Sequence, residues 1–258
     1  MRYKLTLSYD GSAFCGWQVQ PDAPSVQGAL ESALSTLLKT VTPVTGAGRT
    51  DTLVNARGYV AHFDAMIPID CSQLRYKLNA ILPDAVSVQS VEPVPDDFHA
   101  RFGAVRREYS YYLHRCKDPF ADRFSYRYEY PVLDVEAMNR SALHLLGTHD
   151  FSCFEKSGGD NRTSICTVFE AGWKEYTPVR AVSDEPGLYL CFHIAADRFL
   201  RNMVRSTVGT LLEVGRGKRS EEDFASLILE PSQNRQGLRS LAGESVPGHA
   251  LFFTKVEY

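Results

Sequence analysis

The chain has 258 residues, 44% of them hydrophobic and 23% charged, with two Trp, 13 Tyr and 14 Phe. That suits one large domain or two smaller ones with a real core, and it excludes a disordered or fibrous protein. A net charge of −3 excludes a surface that is basic all over, and no run reaches the roughly 18 apolar residues a membrane span needs. The opening MRYKLTLSYDGS lacks the apolar core of an export signal. Six separated cysteines (Cys15, Cys71, Cys116, Cys153, Cys166, Cys191) form no CxxC pair, so free thiols in a reducing cytoplasm are expected.

In chain order, Tyr3, Leu5, Leu7 and Tyr9 alternate with Lys4, Thr6 and Ser8, the period of a half-buried strand. A turn-rich loop, GSAFCGWQVQPDAP, leads to Ser25, a helix cap, and an apolar face of Val26, Leu30, Ala33, Leu34 and Leu37. Alternation at Tyr59, Ala61 and Phe63 predicts a second strand over 57–65. A helix over 71–82, stopped by Pro83, and a strand over 85–91 follow. The second half predicts a strand at 108–114, a helix at 134–146 opened by Asp134 and strands at 163–176 and 188–195. A helix at 199–214 closed by Gly215 and a last strand at 250–256 complete it. The two halves have a similar rhythm and read as a duplicated α+β sandwich, with a seam at Val94-Pro95-Asp96-Asp97. The expected division is therefore 1–95 and 96–258.

Two stretches concentrate positive charge. Residues 101–127 hold seven basic against three acidic residues, and residues 198–219 six against one, local balances of +4 and +5. On a mildly acidic protein such clusters fit either solvated faces or a confined phosphate-binding surface. The segment TGAGRTDTLVNARGYVAHF, from Thr45 to Phe63, sets Arg49 and Asp51 two residues apart behind Gly46 and Gly48. In extended chain that spacing directs both side chains to one face, and the glycines permit close backbone approach. No two of His62, His99, His114, His144 and His149 have the tight spacing of metal ligands, so no metal is expected.

The blocks YDGSAFCGWQ, SVQGALESAL, AGRTD, VAHF, LPDAV, VPDDFHARF, RREYSYYL, LLGTHDFSCF, RFLRNMVRSTVGTLLEVGRG and ALFFTKVEY run in order over nearly the whole length. In these the chain resembles the tRNA pseudouridine synthase A (TruA) family. The resemblance implies two ferredoxin-like or RRM-like α/β halves, a central mainly antiparallel sheet and an active-site cleft between the halves. It implies a cofactor-free isomerisation of uridine to pseudouridine in the anticodon arm of tRNA by a cytoplasmic homodimer.

On that resemblance Asp51 matches the essential aspartate that attacks the target nucleotide, by direct addition or by way of a glycal, and it lies in the first half. The second half carries Arg205, which matches the arginine paired with it, and Tyr109, which matches the tyrosine stacked on the uracil with a possible part in proton transfer. A carboxylate suits this work when ionised, a form that a neighbouring guanidinium favours. Dimer contacts are also expected in that half. Arg49 matches the residue that fills the space of the extruded base, and Leu251 a leucine of the pocket wall. Arg101, Arg106, Arg107, Arg198 and Arg201 are expected phosphate contacts. The family usually carries Gly and His where this chain has Leu53 and Asn55. Because Leu resists a positive φ, a remodelled loop is expected there. The competing readings are an RNA-binding paralogue with impaired catalysis and a synthase of the same class acting on another RNA.

Overall fold

The computed structural model describes residues 1–158, 162–229 and 238–258. The backbone forms two units, Met1–Val105 with Phe252–Tyr258, and Arg106–Leu251. Residues 96–105 and 252–258 group with the first unit.

In the first unit, strand β1 (Arg2–Tyr9) buries Tyr3, Leu5, Leu7 and Tyr9 in strict alternation. Helix α1 (Val26–Leu38) starts where the Ser25 hydroxyl accepts from the Gly28 amide, and it buries Val26, Leu30, Ala33 and Leu34. Leu37, expected on that face, is only half-buried. A two-residue strand, β2 (Thr45–Gly46), had no periodicity to announce it. Strand β3 (Asn55–Asp64) is buried continuously from Tyr59 to Phe63 rather than on alternate residues. The reason is its central position: β1 pairs along one edge, while β10 (Leu251–Glu257) and β2 share the other. Helix α2 (Cys71–Ile81), capped by the Asp70 carboxylate, packs against α1 and against β4 (Val86–Val94). The order β4-β1-β3-β2 within a βαββαβ chain is the split βαβ arrangement. Strand β10 lies parallel to β3, Phe252 opposite Asn55, and the Val105 amide donates to the Glu257 carbonyl.

The second unit repeats the scheme. Strand β5 (Arg106–His114) pairs antiparallel with β9 (Tyr189–Ala196), which pairs with β8 (Ile165–Glu175), and β8 with β7 (Gly147–Asp150). Strand β9 thus sits between β5 and β8 as β3 sits between β1 and β2. A short β6 (Tyr126–Arg127) runs parallel to the end of β5. Helix α3 (Val135–Leu143) is shorter than its apolar pattern suggested, because its last turns tighten to i→i+3 hydrogen bonds ahead of Gly147. Helix α4 (Met203–Gly215) begins four residues later than expected because Asn202 takes a left-handed conformation at its cap. Helix α5 (Glu221–Leu229) was not anticipated. Its signal was present: Ser220 caps Asp223 by its hydroxyl, and Phe224, Leu227 and Ile228 are buried at helical spacing. The architecture is α+β with mainly antiparallel strands and five α-helices among the described residues. No described helix is long and apolar enough to cross a membrane.

His62, the histidine of the VAHF block, is buried on β3, and its Nδ1 accepts from the Ala100 amide at 3.1 Å. Burial first, and then the nearby Arg2 and His99, push its pKa down from 6.5 to about 4. Between those values the unfolded chain takes up a proton that the folded chain refuses, so this stability is complete above about pH 6.5 and is lost as pH falls. Urea unfolding should show His62→Asn, which keeps an acceptor, losing about 2 kcal/mol less than the parent between about pH 7.5 and about pH 4.5. Equal losses would mean that His62 does not carry this dependence.

Candidate active site

The loop between β2 and β3 is held by its backbone. The Ala47 amide donates to the Val60 carbonyl at 2.8 Å. The Tyr59 hydroxyl bonds both polar groups of Gly48, accepting from its amide at 3.3 Å and donating to its carbonyl. Thr50 is buried, with its hydroxyl 2.8 Å from that of Tyr9, and its carbonyl accepts from the Trp17 amide at 3.1 Å. A turn closes from the Asp51 carbonyl to the Val54 amide at 3.2 Å. Asn55, 1% exposed, accepts from the Gly11 amide at 2.8 Å. Arg49 is exposed and Asp51 half-buried, both on the loop rather than on a strand.

The turn-rich segment after β1 is therefore a clasp on this loop. A side chain at Gly11 would meet the Val54 carbonyl at 2.3 Å, and one at Gly16, whose φ is +97°, would meet the Thr50 carbonyl at 2.6 Å. Beneath the clasp lies an aromatic floor. The rings of Trp17 and Tyr59 are 4.2 Å apart, and Tyr59 also meets Phe253 at 5.1 Å and Tyr9 at 5.6 Å. None of these floor residues was assigned a place in the site from the sequence; the YDGSAFCGWQ block was the available signal.

Leu53 resolves the anticipated departure. Its φ is +69°, so leucine adopts the left-handed conformation that a glycine would take freely. Its side chain is 40% exposed, which leaves the strained backbone without a packing clash to add to it. The expected remodelling to avoid a positive φ does not occur, because the contacts at Thr50, Val54 and Asn55 fix the chain on both sides. Asn55, in place of a histidine, serves as a buried acceptor.

In the second unit, Tyr109 on β5 stands opposite Ile194, 8% exposed, with its ring edge-on to Phe199 at 5.0 Å and 83°. Phe199 was not anticipated as its neighbour. Arg205, in the first turn of α4, donates from Nε to the Val246 carbonyl at 2.7 Å, and the Val246 amide returns a bond to the Arg205 carbonyl at 3.2 Å. Next along, the Tyr111 hydroxyl donates to the Pro247 carbonyl at 3.1 Å. Burial holds the Tyr111 phenol well above its usual range, and the charge of Arg205 offsets part of that. Leu251 is buried at the start of β10.

The expected phosphate contacts differ from one another. Arg107 donates to the Asp197 carbonyl at 2.6 Å, and Arg198, whose amide bonds the Asp197 carboxylate, reaches the Thr163 carbonyl at 2.9 Å. Arg201, exposed, bonds the Ser157 carbonyl at 3.1 Å. Arg106 lies between the carboxylates of Glu108 at 2.9 Å and Glu170 at 2.6 Å, which raise its pKa. Arg101, in the first unit, sits over the Phe102 ring at 5.5 Å. No cluster of three or more acidic, His or Cys side chains suited to a metal occurs among the described residues.

The two backbone constraints can be separated by mutation. Leu53→Gly should leave stability within about 1 kcal/mol of the parent, relief of strain being offset by entropy gained in the unfolded chain. Gly16→Ala, which must displace the Thr50 carbonyl, should cost about 2 kcal/mol or more. Denaturant midpoints measure both, and a harmless Gly16→Ala would mean that the clasp yields.

Comparison with known proteins bears on this arrangement. The family model described as tRNA pseudouridine synthase matches residues 6–103 and 142–258. A Bacteroides fragilis protein named tRNA pseudouridine synthase A is 46% identical over all of this chain and 96% of its own length. Proteins of that name from Porphyromonas gingivalis and Bacillus subtilis are 42% and 40% identical, again over all of this chain and 97% and 99% of theirs. Similarity of this depth, over both units and through the clasped Asp51 loop, shows that the chain belongs to the tRNA pseudouridine synthase family.

Proposed function

We propose that the protein isomerises uridine to pseudouridine in tRNA, with Asp51 as its nucleophile. Family membership over the full length supports the reaction and the substrate class. The observation that carries the choice of Asp51 is the clasp: the backbone on either side of this carboxylate is pinned by groups other than its own side chain. Such preorganisation is what a reacting group needs, because a displacement of about 1 Å can cost on the order of a hundredfold in rate.

In this reading Asp51 either adds to the sugar carbon that bears the base, or takes a proton from the neighbouring C2′ to give a glycal and returns it there when the new bond forms. The glycosidic carbon–nitrogen bond breaks, and the uracil turns within the site. Its carbon 5 then bonds to the sugar and loses its proton, while nitrogen 1 gains one. Atoms and electrons balance within the nucleotide, so the reaction consumes no cofactor. Arg205 is assigned to hold the carboxylate as its ion partner, and its bond to the Val246 carbonyl supports a fixed guanidinium. Tyr109 is assigned to stack on the uracil; its edge-on contact with Phe199 supports a fixed ring plane.

A base inside a paired stem must leave its stack, at a cost of a few kcal/mol. Arg49 is assigned to occupy the vacated space, and its exposure at the loop surface is compatible with that task. Leu251 is assigned to the pocket wall. Arg101, Arg107, Arg198 and Arg201 are assigned to phosphates, whereas Arg106 would first have to part from two carboxylates. The substrate region assigned is the 3′ side of the anticodon stem-loop, approached by shape and phosphate contact rather than base sequence. The working form is assigned as a cytoplasmic homodimer, with the catalytic loop in the first half of the chain and dimer contacts in the second.

Pseudouridine mapping by carbodiimide and primer extension, on an unmodified tRNA transcript, tests the reading. Asp51→Asn should lower conversion by a factor on the order of 10⁴ while tRNA affinity stays within about twofold. Conversion that survives the substitution would remove Asp51 as nucleophile, and binding without conversion by the parent would remove the synthase itself. Arg49→Ala should lose conversion on a paired stem by about tenfold or more, and lose less on the same uridine in a single strand. Equal losses on both substrates would argue against a role in base extrusion.

A further inference from the structure

We propose that residues 117–130, together with Arg216, form a platform for unpaired nucleotides of the RNA substrate, distinct from the residues assigned to catalysis. The proposal rests on the reading of the chain as an RNA-modifying enzyme and names a further contact for that RNA. Tyr126, Tyr128 and Tyr130 follow one another at the two-residue period of extended chain. Their ring centroids lie 5.6 and 4.9 Å apart; Tyr128 is buried and Tyr126 half-buried, so they back Tyr130, 44% exposed, which offers the accessible ring. The Arg216 guanidinium lies 3.7 Å from the centre of the Tyr130 ring and 3.5 Å from the Tyr128 hydroxyl. Arg216 comes from the second basic stretch of the sequence and the tyrosines follow from the first, so the fold brings both stretches together here. On the same segment Phe120 is 66% exposed, and Arg123 lies 5.1 Å from the ring centre of Phe124, itself 38% exposed.

This segment is anchored from below. The Tyr128 amide donates to the His114 carbonyl at 2.8 Å, and Arg115 bonds the carbonyls of Tyr130 and Pro131 at 3.0 and 3.2 Å. Buried His114 bridges the Ser125 hydroxyl at 2.9 Å and the Asp122 carboxylate at 3.0 Å. Buried Asp118 accepts from the Tyr189 hydroxyl at 2.6 Å and the Phe120 amide at 2.9 Å. These bonds also engage the acids of the segment: Asp118 is buried, Asp122 meets His114, and Glu129 meets Arg127 at 3.1 Å. Lys117, Arg123 and Arg216 are exposed, and the latter two lie over the Phe124 and Tyr130 rings.

Aromatic planes interleaved with cations are what bases and phosphates of a single strand require, and every base has a face to stack. A second copy of this chain suits the surface less well. A two-fold contact would set the patch against itself and bring its cations together, whereas a polyanion meets all of them favourably.

The test measures binding of a labelled oligouridylate, and of an RNA duplex of equal length, to the full chain. Tyr130→Ala combined with Arg216→Gln should weaken the oligouridylate about tenfold, and Phe120→Ala, at an exposed position, a few-fold. Duplex affinity should change less in both variants. Unchanged oligouridylate affinity in both variants would overturn the proposal. So would a change in sedimentation from dimer to monomer with oligouridylate affinity intact, which would make the surface a self-association face. No turnover is involved, so a protein that binds through these residues yet converts no uridine would keep the platform and lose only the synthase reading.

Discussion

The contact on which the rest of the site depends is backbone against backbone, where the segment around Gly11 and Gly16 lies on the chain from Thr50 to Asn55. Three constraints meet in it. Two glycines leave no side chain in the way, a buried asparagine supplies an acceptor to an otherwise orphaned amide, and a tilted Trp17–Tyr59 pair fills the space beneath. A side chain carried on such a loop has its backbone placed before any ligand arrives. The same contact explains how a left-handed leucine persists: with both neighbours fixed, Leu53 has no alternative path to take.

Much of this was legible in the sequence, and the legible parts share a physical origin. Elements with a one-sided apolar period, β1 and α1 among them, were readable because burial imposes that period. Caps at Ser25 and Asp134 marked helix starts through their side chains. Most of what was misread, α5 apart, gave no local signal in the sequence. The start of α4 is set by a single left-handed asparagine, the continuous burial of β3 follows from neighbours far along the chain, and β2 exists only because β3 offers an edge.

Within the site, the charged pair Arg49 and Asp51 drew notice because such residues have no reason to sit among small ones in a core. Trp17, Tyr59 and Phe199 did not, since an aromatic residue beside a functional group looks the same in sequence as one in any core. Leu53 was misjudged for a different reason. A propensity gives the energetic cost of a conformation but not whether its surroundings can impose it, and that cost of about 1–2 kcal/mol is small beside the contacts that fix the loop.

Strand β10 ties the two ends of the chain into one unit. Residues 252–258 lie along β3, Phe253 supports Tyr59, Tyr59 holds Gly48, and the Tyr258 hydroxyl bonds the Ala100 carbonyl at 2.9 Å. On the ribosome those residues emerge only after the entire second unit. Phe253, one ring of the floor under the Asp51 loop, is therefore added last, although the loop itself is made early. The first unit waits as an unfinished sheet with an open edge until the whole second unit has been made.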